Sequence, residues 1–281
     1  MPQIPSLPLS SGASIPQLGL GTYKITGPST QKIVESALEV GYRHIDTAQM
    51  YYNEAEVGAG LAASGIAREE LFVTTKLNTG NHDPDVARRS FDESLEKLGL
   101  DYVDLFLIHW PMPRLYSGGF PATWRVLQEF MADGRARTVG VSNFEIHHLR
   151  RLVDEIGVMP AVNQIEAHPA LPNDEVREWT KARGGVIEAW SPLSRGRILT
   201  DPQLVAVASE LDRTPSQLVL RWHIERGDVV FPKTTHMDRM RENMAIFDFE
   251  LTDSARSAIA AMDRGEAGRT GKHPDVMNEI R

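Results

Sequence analysis

The chain has 281 residues, of which 41% are hydrophobic and 24% charged, a composition typical of a soluble globular protein with one large or two small domains. The net charge of -8 disfavours nucleic acid and anionic membranes as partners, and the absence of cysteine excludes disulfides, thiolate metal sites and a cysteine nucleophile. The N-terminus MPQIPSLPLSSG lacks the segments of a secretory signal, and no apolar run approaches roughly 18 residues, so the cytoplasm is the predicted compartment.

Short apolar runs alternate with longer amphipathic segments along the chain. The N-terminal stretch LPLSSGASIPQ predicts a small hairpin with Ser-Gly in its turn. Segments such as STQKIVESALEVG and DPDVARRSFDESLEKLG place apolar residues at helical spacing and end in glycine. Eight runs have the character of buried strands: LGLGT, RHID, LFVTTKL, YVDLFLIH, RTVGVSN, AVNQIE, GVIEAW and DVVFPK.

This alternation predicts an α/β fold with a parallel sheet. Eight βα units in roughly 250 residues favour a closed (β/α)8 TIM barrel over an open doubly wound sheet. The hairpin is expected to close the barrel floor. Because no linker, low-complexity tract or short repeat interrupts the pattern, residues 1–281 are predicted to form a single domain.

Polar residues at the ends of consecutive predicted strands form the first candidate site. Asp46 ends the second run, Lys76 the third and His109 the fourth, at steps of 30 and 33 residues. Neighbouring strands lie only about 4.8 Å apart, and barrel active sites lie at the carboxyl ends of the strands. These side chains should therefore meet at one mouth, with Tyr51 above Asp46 on the following loop.

Each of these residues also has a structural explanation when taken alone. Asp46 suits a turn, Lys76 the surface, His109 the core, and Tyr51 or its neighbour an apolar lid. The stretch GYRHIDTAQMYYNE also suits a solvated loop before a helix, because the asparagine at 53 and the glutamate at 56 have the spacing of a capping pair. The structural explanations would require four separate coincidences at the same barrel mouth, so a catalytic role for these residues is favoured.

An Asp, a Lys, a His and a Tyr in one pocket fit the reduction of a carbonyl group. The ammonium of Lys76 is expected to lower the pKa of the Tyr51 phenol, and Asp46 is expected to hold the lysine charged and in place. His109 can orient the bound carbonyl while Tyr51 delivers the proton. Tyr52, one position later, is expected to face away and pack.

The sequence resembles the aldo-keto reductase family over essentially its whole length. GYRHIDTAQMYYNEAEVG is similar to the family's first signature, with VTTKL and LFLIHWP supplying the lysine and histidine. Further similarity runs through GVSNF, NQIEAHP, AWSPLSRG and FPKTTHMDRMREN, in that order. The resemblance implies a catalytic tetrad of Asp46, Tyr51, Lys76 and His109, and hydride transfer from a nicotinamide cofactor.

The remaining strand ends have side chains suited to that cofactor. Ser142, Asn143 and Gln164 offer donors and acceptors for a carboxamide, and Trp190 offers a face on which the nicotinamide ring can stack. Turn formation and core packing are their structural alternatives. The AWSPLSRG similarity extends the implied cofactor contacts to Ser191, Leu193, Arg195 and Gly196.

The last predicted strand ends in a basic, hydroxyl-bearing group at the usual phosphate position of a barrel. This group consists of Lys233, Thr234 and Arg239, and its structural alternative is a solvated helix start. The resemblance assigns it to the adenosine 2′-phosphate and assigns Glu242 and Asn243 to the adenine. The predicted cofactor is therefore NADPH rather than NADH.

Other functional interpretations fit the sequence less well. GLGTYK has Lys24 where a dinucleotide-binding motif needs its third glycine. No metal is predicted, because no histidine pair has HExxH spacing and the adjacent His147 and His148 should diverge on a helix. A Schiff-base lyase using Lys76 leaves Tyr51 unexplained. The alternative from another class is an NADP(H)-binding structural or regulatory protein without turnover.

The substrate pocket is the least specified part of the sequence. Tyr23, Trp110 and Met277 are candidates for its walls, although each also suits packing. Many relatives carry Trp at position 23 and Tyr at position 190, and Trp190 points to the bacterial sugar-acid reductase branch. Short loops predict an open pocket that accepts keto-sugar acids, methylglyoxal or other small carbonyls. One closed barrel gives no reason for a partner subunit, so a monomer is expected.

Overall fold

The computed structural model describes residues 4–116 and 119–280 of the chain. An N-terminal hairpin pairs β1 (Ser6–Pro8) with β2 (Ser14–Pro16) in antiparallel register. A second sheet follows with eight strands: β3 (Leu20–Gly21), β4 (His44–Asp46), β5 (Phe72–Leu77), β6 (Leu105–Ile108), β7 (Val139–Ser142), β8 (Val162–Glu166), β9 (Val186–Trp190) and β10 (Val229–Val230). All eight predicted runs therefore contain a strand, and the predicted hairpin is also present.

The eight strands are parallel and neighbour one another in chain order. A parallel bridge between Leu18 and Val230 joins the last strand to the segment before the first, and the Gly19 amide donates to the Val230 carbonyl at 2.8 Å. A Cβ on Gly21 would lie 2.6 Å from the Phe231 carbonyl oxygen, so glycine permits this close approach. The closed (β/α)8 barrel is confirmed.

Ten α-helices lie among the described residues and connect or follow the strands. They are α1 (Ser29–Val40), α2 (Glu54–Ala63), α3 (Pro84–Leu98), α4 (Phe120–Ala132), α5 (Ile146–Ile156), α6 (Asp174–Lys181), α7 (Pro202–Glu210), α8 (Pro215–Glu225), α9 (Met237–Met244) and α10 (Asp253–Ala260). Glycines 41 and 99 end α1 and α3 with positive φ, as their sequence patterns predict. No helix in the described part of the chain is both long and apolar enough to span a bilayer.

The main apolar core lies between the barrel strands and the helices. Phe106 on β6 packs with Phe91 of α3 and Phe130 of α4, at ring distances of 4.2 and 5.9 Å. A separate cluster brings Leu9 and Ile15 from the hairpin region against Phe72, Leu105, Leu107, Val162 and Val229 at the barrel floor. The hairpin therefore covers the floor, and the polar strand ends are left at the opposite mouth.

Several strands are shorter than the runs that predicted them, and two of these runs show why. In YVDLFLIH, regular pairing begins only at Leu105, and Val103 makes an isolated bridge with Ala136. In DVVFPK, the strand is limited to Val229–Val230, and Pro232 follows without the amide hydrogen that further pairing needs. The single-domain boundary of 1–281 and the cytoplasmic location stay predictions.

Candidate active site

Asp46 and Lys76 form an ion pair inside the barrel mouth. The Lys76 Nζ lies 2.7 Å from each carboxylate oxygen of Asp46 and donates a third hydrogen bond to the Thr47 carbonyl at 2.8 Å. Both side chains are essentially inaccessible to solvent. All three ammonium hydrogens of Lys76 therefore have an acceptor.

The Asp46 carboxylate accepts a further hydrogen bond from the Gln164 amide at 2.9 Å. Burial raises the pKa of Asp46, and the Lys76 ammonium together with the Gln164 amide counters that rise. The pair thus depends on these two partners to remain charged in a nearly dry environment.

Tyr51 ends a short 3₁₀ helix, Gln49–Tyr51, which follows β4 and lifts the phenol above the ion pair. Its ring centroid lies 5.1 Å from the Lys76 Nζ, 5.7 Å from the His109 ring and 5.1 Å from the Tyr23 ring. Tyr52 has a positive φ of 55° and is 76% exposed. It faces away as expected, but the prediction that it packs is wrong, because the left-handed turn directs it into solvent.

The predicted lowering of the Tyr51 pKa by Lys76 is not found. Burial raises the pKa of Tyr51 well above its usual range, and the negative charge of Asp46 and the nearby Tyr23 add to the rise. Burial is the main physical reason, and the Lys76 ammonium, whose charge is compensated by Asp46, does not offset it. Tyr51 therefore holds its proton firmly in this arrangement.

Asn53 lies directly before α2, but it does not cap that helix with its side chain. Its amide donates to the carbonyls of Thr22 and Ile25 at 3.0 and 2.9 Å, and its carbonyl oxygen accepts from the Thr47 hydroxyl at 2.8 Å. The suggested pairing of Asn53 with Glu56 is therefore wrong. The buried asparagine joins the loop after β3 to the loop after β4, beside the ion pair.

His109 and the polar residues after β7 form a second hydrogen-bonded group at the mouth. The side-chain amide of Asn143 donates to the main-chain carbonyl of His109 at 2.9 Å, and the side-chain oxygen of Asn143 accepts from the Trp190 indole at 2.8 Å. The Ser142 hydroxyl donates to the Gln164 carbonyl at 2.9 Å. The structure thus brings four of the predicted cofactor residues together beside His109.

Two buried titratable residues of this site were missed from the sequence. Glu188, within the apolar run GVIEAW, accepts from the Gln164 amide at 3.0 Å. His44 lies with its Nε2 3.6 Å from the other Glu188 oxygen and 3.2 Å from the Thr74 hydroxyl. A glutamate within the apolar run GVIEAW was the one sequence signal that pointed to Glu188, and its pairing with Gln164 is apparent only from the strand register.

The loop after β9 carries the remaining residues implied near the nicotinamide. Ser191 and Arg195 have positive φ values of 51° and 54°, and a short 3₁₀ helix spans Ser194–Gly196. Leu193 packs partly buried against the apolar cores. These left-handed positions turn the chain sharply at the barrel mouth. Their contacts with a cofactor stay a prediction.

The basic group after β10 has the exposure that a phosphate site requires. Lys233 and Arg239 are exposed, and within residues 4–116 and 119–280 no carboxylate lies within ion-pairing distance of either. The buried Thr234 hydroxyl accepts from the His236 amide at 3.1 Å. Two unpaired cations beside a hydroxyl fit the chemistry of an anionic phosphate.

The predicted adenine residues have partners within the protein. The Glu242 carboxylate accepts from the Thr214 hydroxyl at 2.6 Å, which ties α9 to the start of α8. Asn243 is buried and interacts with the Tyr42 hydroxyl. Both side chains thus have hydrogen-bond partners on neighbouring segments, and their contact with adenine stays a prediction.

The candidate substrate walls lie on three separate segments. Trp110 and Met277 are buried in one small cluster with Met112, and Trp190 packs against it. Tyr23 is 43% exposed beside Tyr51. The three residues therefore lie at the same mouth, and their contact with substrate stays a prediction.

The C-terminal segment that carries Met277 is fastened to the barrel by Glu166 at the end of β8. One Glu166 oxygen accepts from the Thr270 amide and hydroxyl at 2.6 and 2.5 Å, and the other accepts from the Gly271 amide at 2.9 Å. Burial raises the pKa of Glu166, but these bonds and one from His168 outweigh it and lower the net pKa. A buried carboxylate therefore holds the segment in place.

The side chains of His147 and His148 both approach Asp275 of the C-terminal segment, so the expectation that they diverge is wrong. Their rings lie 4.0 Å apart, and both Nε2 atoms approach Asp275 Oδ1, at 3.0 and 3.3 Å. They lie in the first turn of α5, where side chains lean toward the helix start that the C-terminal segment crosses. The His148 Nδ1 accepts from the Glu145 amide, so a neutral ring carries its proton on Nε2, facing the carboxylate.

A parallel (β/α)8 barrel with Asp, Tyr, Lys and His gathered at the carboxyl ends of its strands is the arrangement that the sequence resemblance implies. The model of the Aldo/keto reductase family matches residues 17–264, and the chain belongs to this family. The resemblance inferred from the sequence motifs is thereby confirmed.

Relatives and solved structures agree with this assignment. The chain is 43% identical to an aldo-keto reductase of Mycolicibacterium smegmatis over 274 residues, 98% of each protein. It is also 43% identical to the methylglyoxal reductase DkgA of Yersinia pestis over 280 residues, 99% of each protein. The crystal structure of a Gox0644 mutant in complex with NADPH has a TM-score of 0.93 and 39% identity, covering 99% of this chain and all of that one.

Proposed function

We propose that the protein reduces aldehydes or ketones to alcohols with NADPH, and that Tyr51 is the proton donor. The observation that carries this proposal is the convergence of Tyr51, Lys76, Asp46 and His109 at one barrel mouth. Bound NADPH supplies the hydride. The residues of the chain then have to bind the carbonyl, hold the donor proton and stabilise the charge left when that proton is given up.

The raised pKa of Tyr51 suits a donor that must be loaded before reaction. At neutral pH the phenol is protonated, and it gives up its proton only to a strong base such as the alkoxide that develops on the carbonyl oxygen. Lys76, 5.1 Å from the ring centroid, then stabilises the tyrosinate, and Asp46 keeps the lysine charged and fixed. His109, beside the Tyr51 ring, orients the carbonyl oxygen.

The cofactor is proposed to bind along the mouth from Trp190 to the basic group after β10. Trp190 is held at its indole nitrogen by Asn143, which leaves the orientation of its ring fixed for stacking. Lys233 and Arg239 are exposed cations without carboxylate partners among the described residues, which supports a 2′-phosphate ligand. NADPH is therefore favoured over NADH.

Small dicarbonyls and keto-sugar acids are the proposed substrates. Relatives named methylglyoxal reductase and glyoxal reductase are 43% and 41% identical to this chain, the second being from Bacillus subtilis. The candidate walls Tyr23, Trp110 and Met277 combine an exposed aromatic ring with buried apolar surface. A panel of methylglyoxal, glyoxal, a keto-sugar acid and a plain aldehyde, followed by NADPH absorbance, would rank these substrates.

The Tyr51→Phe variant tests the proposed role most directly, with Tyr52→Phe as its matched control. Loss of general acid catalysis should lower kcat about 10²- to 10⁴-fold in Tyr51→Phe, whereas the exposed Tyr52 hydroxyl should be dispensable. NADPH fluorescence titration and circular dichroism should show unchanged cofactor binding and fold in both. Near-normal turnover in Tyr51→Phe would refute the assignment.

The assay also separates the reductase from a binding protein without turnover. Tight NADPH binding with no oxidation on any carbonyl of the panel would favour a structural or regulatory role. We further propose that the protein is a monomer, because one closed barrel contains the whole candidate site. Sedimentation equilibrium should give the mass of one chain, and an obligate dimer would contradict that part of the proposal.

A further inference from the structure

Glu188 is a carboxyl group at the centre of the barrel that the proposed chemistry does not use. It lies on β9 and is completely buried. One oxygen, Oε2, accepts from the Gln164 Nε2 at 3.0 Å, and the same Nε2 donates to Asp46 at 2.9 Å. A single amide group therefore bridges Glu188 and the carboxylate that holds Lys76.

The other oxygen of Glu188 faces an imidazole. Glu188 Oε1 lies 3.6 Å from the His44 Nε2 and makes no hydrogen bond with any of the described residues. Burial lowers the pKa of His44 to about 3, so the imidazole is neutral, and its Nε2, which also lies 3.2 Å from the Thr74 hydroxyl, donates or accepts according to the tautomer. In the tautomer with the proton on Nδ1, a protonated Oε1 can donate to Nε2, whereas an ionised Oε1 would leave the carboxylate without a compensating charge.

The charged groups around Glu188 favour its neutral form. The groups that face it are His44 and Asp46 on β4, Lys76 on β5 and Gln164 on β8. Lys76 is already paired with both oxygens of Asp46, so it cannot compensate a second carboxylate fully. Burial, followed by the Asp46 charge, raises the pKa of Glu188 to about 8, although Gln164 and Lys76 oppose the rise.

We propose that Glu188 is a positioning residue for the reductase: as a neutral carboxylic acid it fixes the Gln164 amide against Asp46, and its ionisation disturbs the Asp46–Lys76 pair. This inference rests on the proposed function. A negative charge on Glu188, next to the shared Gln164 amide, would repel Asp46 and attract Lys76 away from its position beneath Tyr51. Turnover should therefore decline as the pH rises through about 8.

Glu188→Gln distinguishes a neutral role from a charged one. The glutamine oxygen can accept from Gln164 while its NH₂ group donates to the His44 nitrogen, so the variant imitates the protonated acid at every pH. It should keep a kcat close to that of the wild type at pH 7 and lose the decline near pH 8. Glu188→Ala removes both contacts and should lower kcat about 10²-fold, the size of effect that misplaced catalytic groups produce, with NADPH affinity unchanged.

Glu54→Gln is the matched control. Glu54 is also a buried glutamate, held by the Thr75 hydroxyl at 2.6 Å on the outer side of the sheet. Its substitution should leave the alkaline decline in place. If Glu188→Gln loses as much activity as Glu188→Ala, the neutral-acid role is wrong. If Glu188→Ala retains full activity and the wild-type pH profile, Glu188 does not position the pair.

A measurement independent of turnover keeps this inference separate from the proposed function. The folded protein retains the Glu188 proton between the ordinary pKa of 4.5 and about 8, whereas the unfolded chain loses it. The stability contributed by this group should therefore fall as the pH rises across that window. The melting temperature of Glu188→Gln should depend less on pH than that of the wild type. Equal pH dependence in both proteins would refute a neutral Glu188, even if no carbonyl substrate were found.

Discussion

Replacing Lys76 with methionine should destabilise the fold as well as the reaction. The substitution removes the ammonium that contacts both oxygens of Asp46 at 2.7 Å, but it retains an unbranched apolar side chain of similar length. Among the described residues, Asp46 is then left as a buried carboxylate with only the Gln164 side-chain amide as a side-chain donor. Breaking a buried ion pair by removing one partner costs about 3–5 kcal/mol.

The corresponding thermal shift can be worked out from the chain length. At about 2.1 cal/mol/K per residue, unfolding a chain of 281 residues carries an entropy of about 0.6 kcal/mol/K, so this loss lowers the melting temperature by about 5–9 °C. The deficit should shrink at low pH, because protonation of Asp46 removes the unpaired charge. Circular dichroism melts between pH 5 and 8 would measure both effects.

The double variant Asp46→Asn with Lys76→Met provides the control. Because it removes the lone charge, it should recover most of the lost melting temperature while turnover stays as low as in the single variant. An unchanged melting temperature in Lys76→Met would refute the importance of the buried pair. A double variant no more stable than the single one would show that lost packing, rather than charge, causes the defect.

Three further changes test other parts of the structure. Arg239→Ala should weaken the binding of NADPH by about 1.5–3 kcal/mol and that of NADH far less, because a charge-assisted bond to the extra phosphate is lost. Equal losses of affinity in titrations of both nucleotides would remove the case for a 2′-phosphate site. Gly271→Ala should raise the KM for the carbonyl substrate with little effect on the melting temperature. The added Cβ would lie 2.4 Å from the Trp190 ring and displace it, so an unchanged KM would contradict this contact. Chelator treatment should leave turnover unchanged, since no step of the proposed chemistry uses a metal, and inhibition by EDTA that added zinc reverses would contradict this.

The fold could be predicted because its signals are local and repeated. The βα units combine a buried run with a helical period, and several end in a glycine, as in Ser29–Val40 followed by Gly41. The register of the strand ends then placed Asp46, Lys76 and His109 at one mouth without knowledge of any contact. Strand lengths were less predictable, since pairing at Val103 and after Val230 depends on neighbouring backbone rather than on apolar composition.

The wrong predictions at the site share one physical cause, because each depends on which groups a side chain contacts in three dimensions. The sequence identified Asn53 before a helix but could not show that buried carbonyls of Thr22 and Ile25 would compete for its amide. The Tyr51 pKa depends on whether the Lys76 charge is already compensated, which is a matter of three-dimensional contacts. His147 and His148 converge only because Asp275, more than 120 residues later, crosses their helix.

Glu188 was overlooked for a different reason. Within GVIEAW it looks like an interruption of an apolar run, and a single charged residue in such a run has no partner in its local sequence. Its partners come from β4 and β8, at positions 44 and 164. Buried polar networks inside a barrel are assembled across strands, so their members are recognised only when the register of those strands is known.

The attachment of the C-terminal segment through Glu166 also affects the order in which the protein is completed. Thr270 and Gly271 bind a carboxylate more than 100 positions earlier, and Met277 then takes its place beside Trp110. During synthesis, all eight barrel strands leave the ribosome before these last residues do. The barrel can therefore form before the C-terminal segment reaches its mouth, and the pocket wall proposed for Met277 is added only after all eight strands have been made.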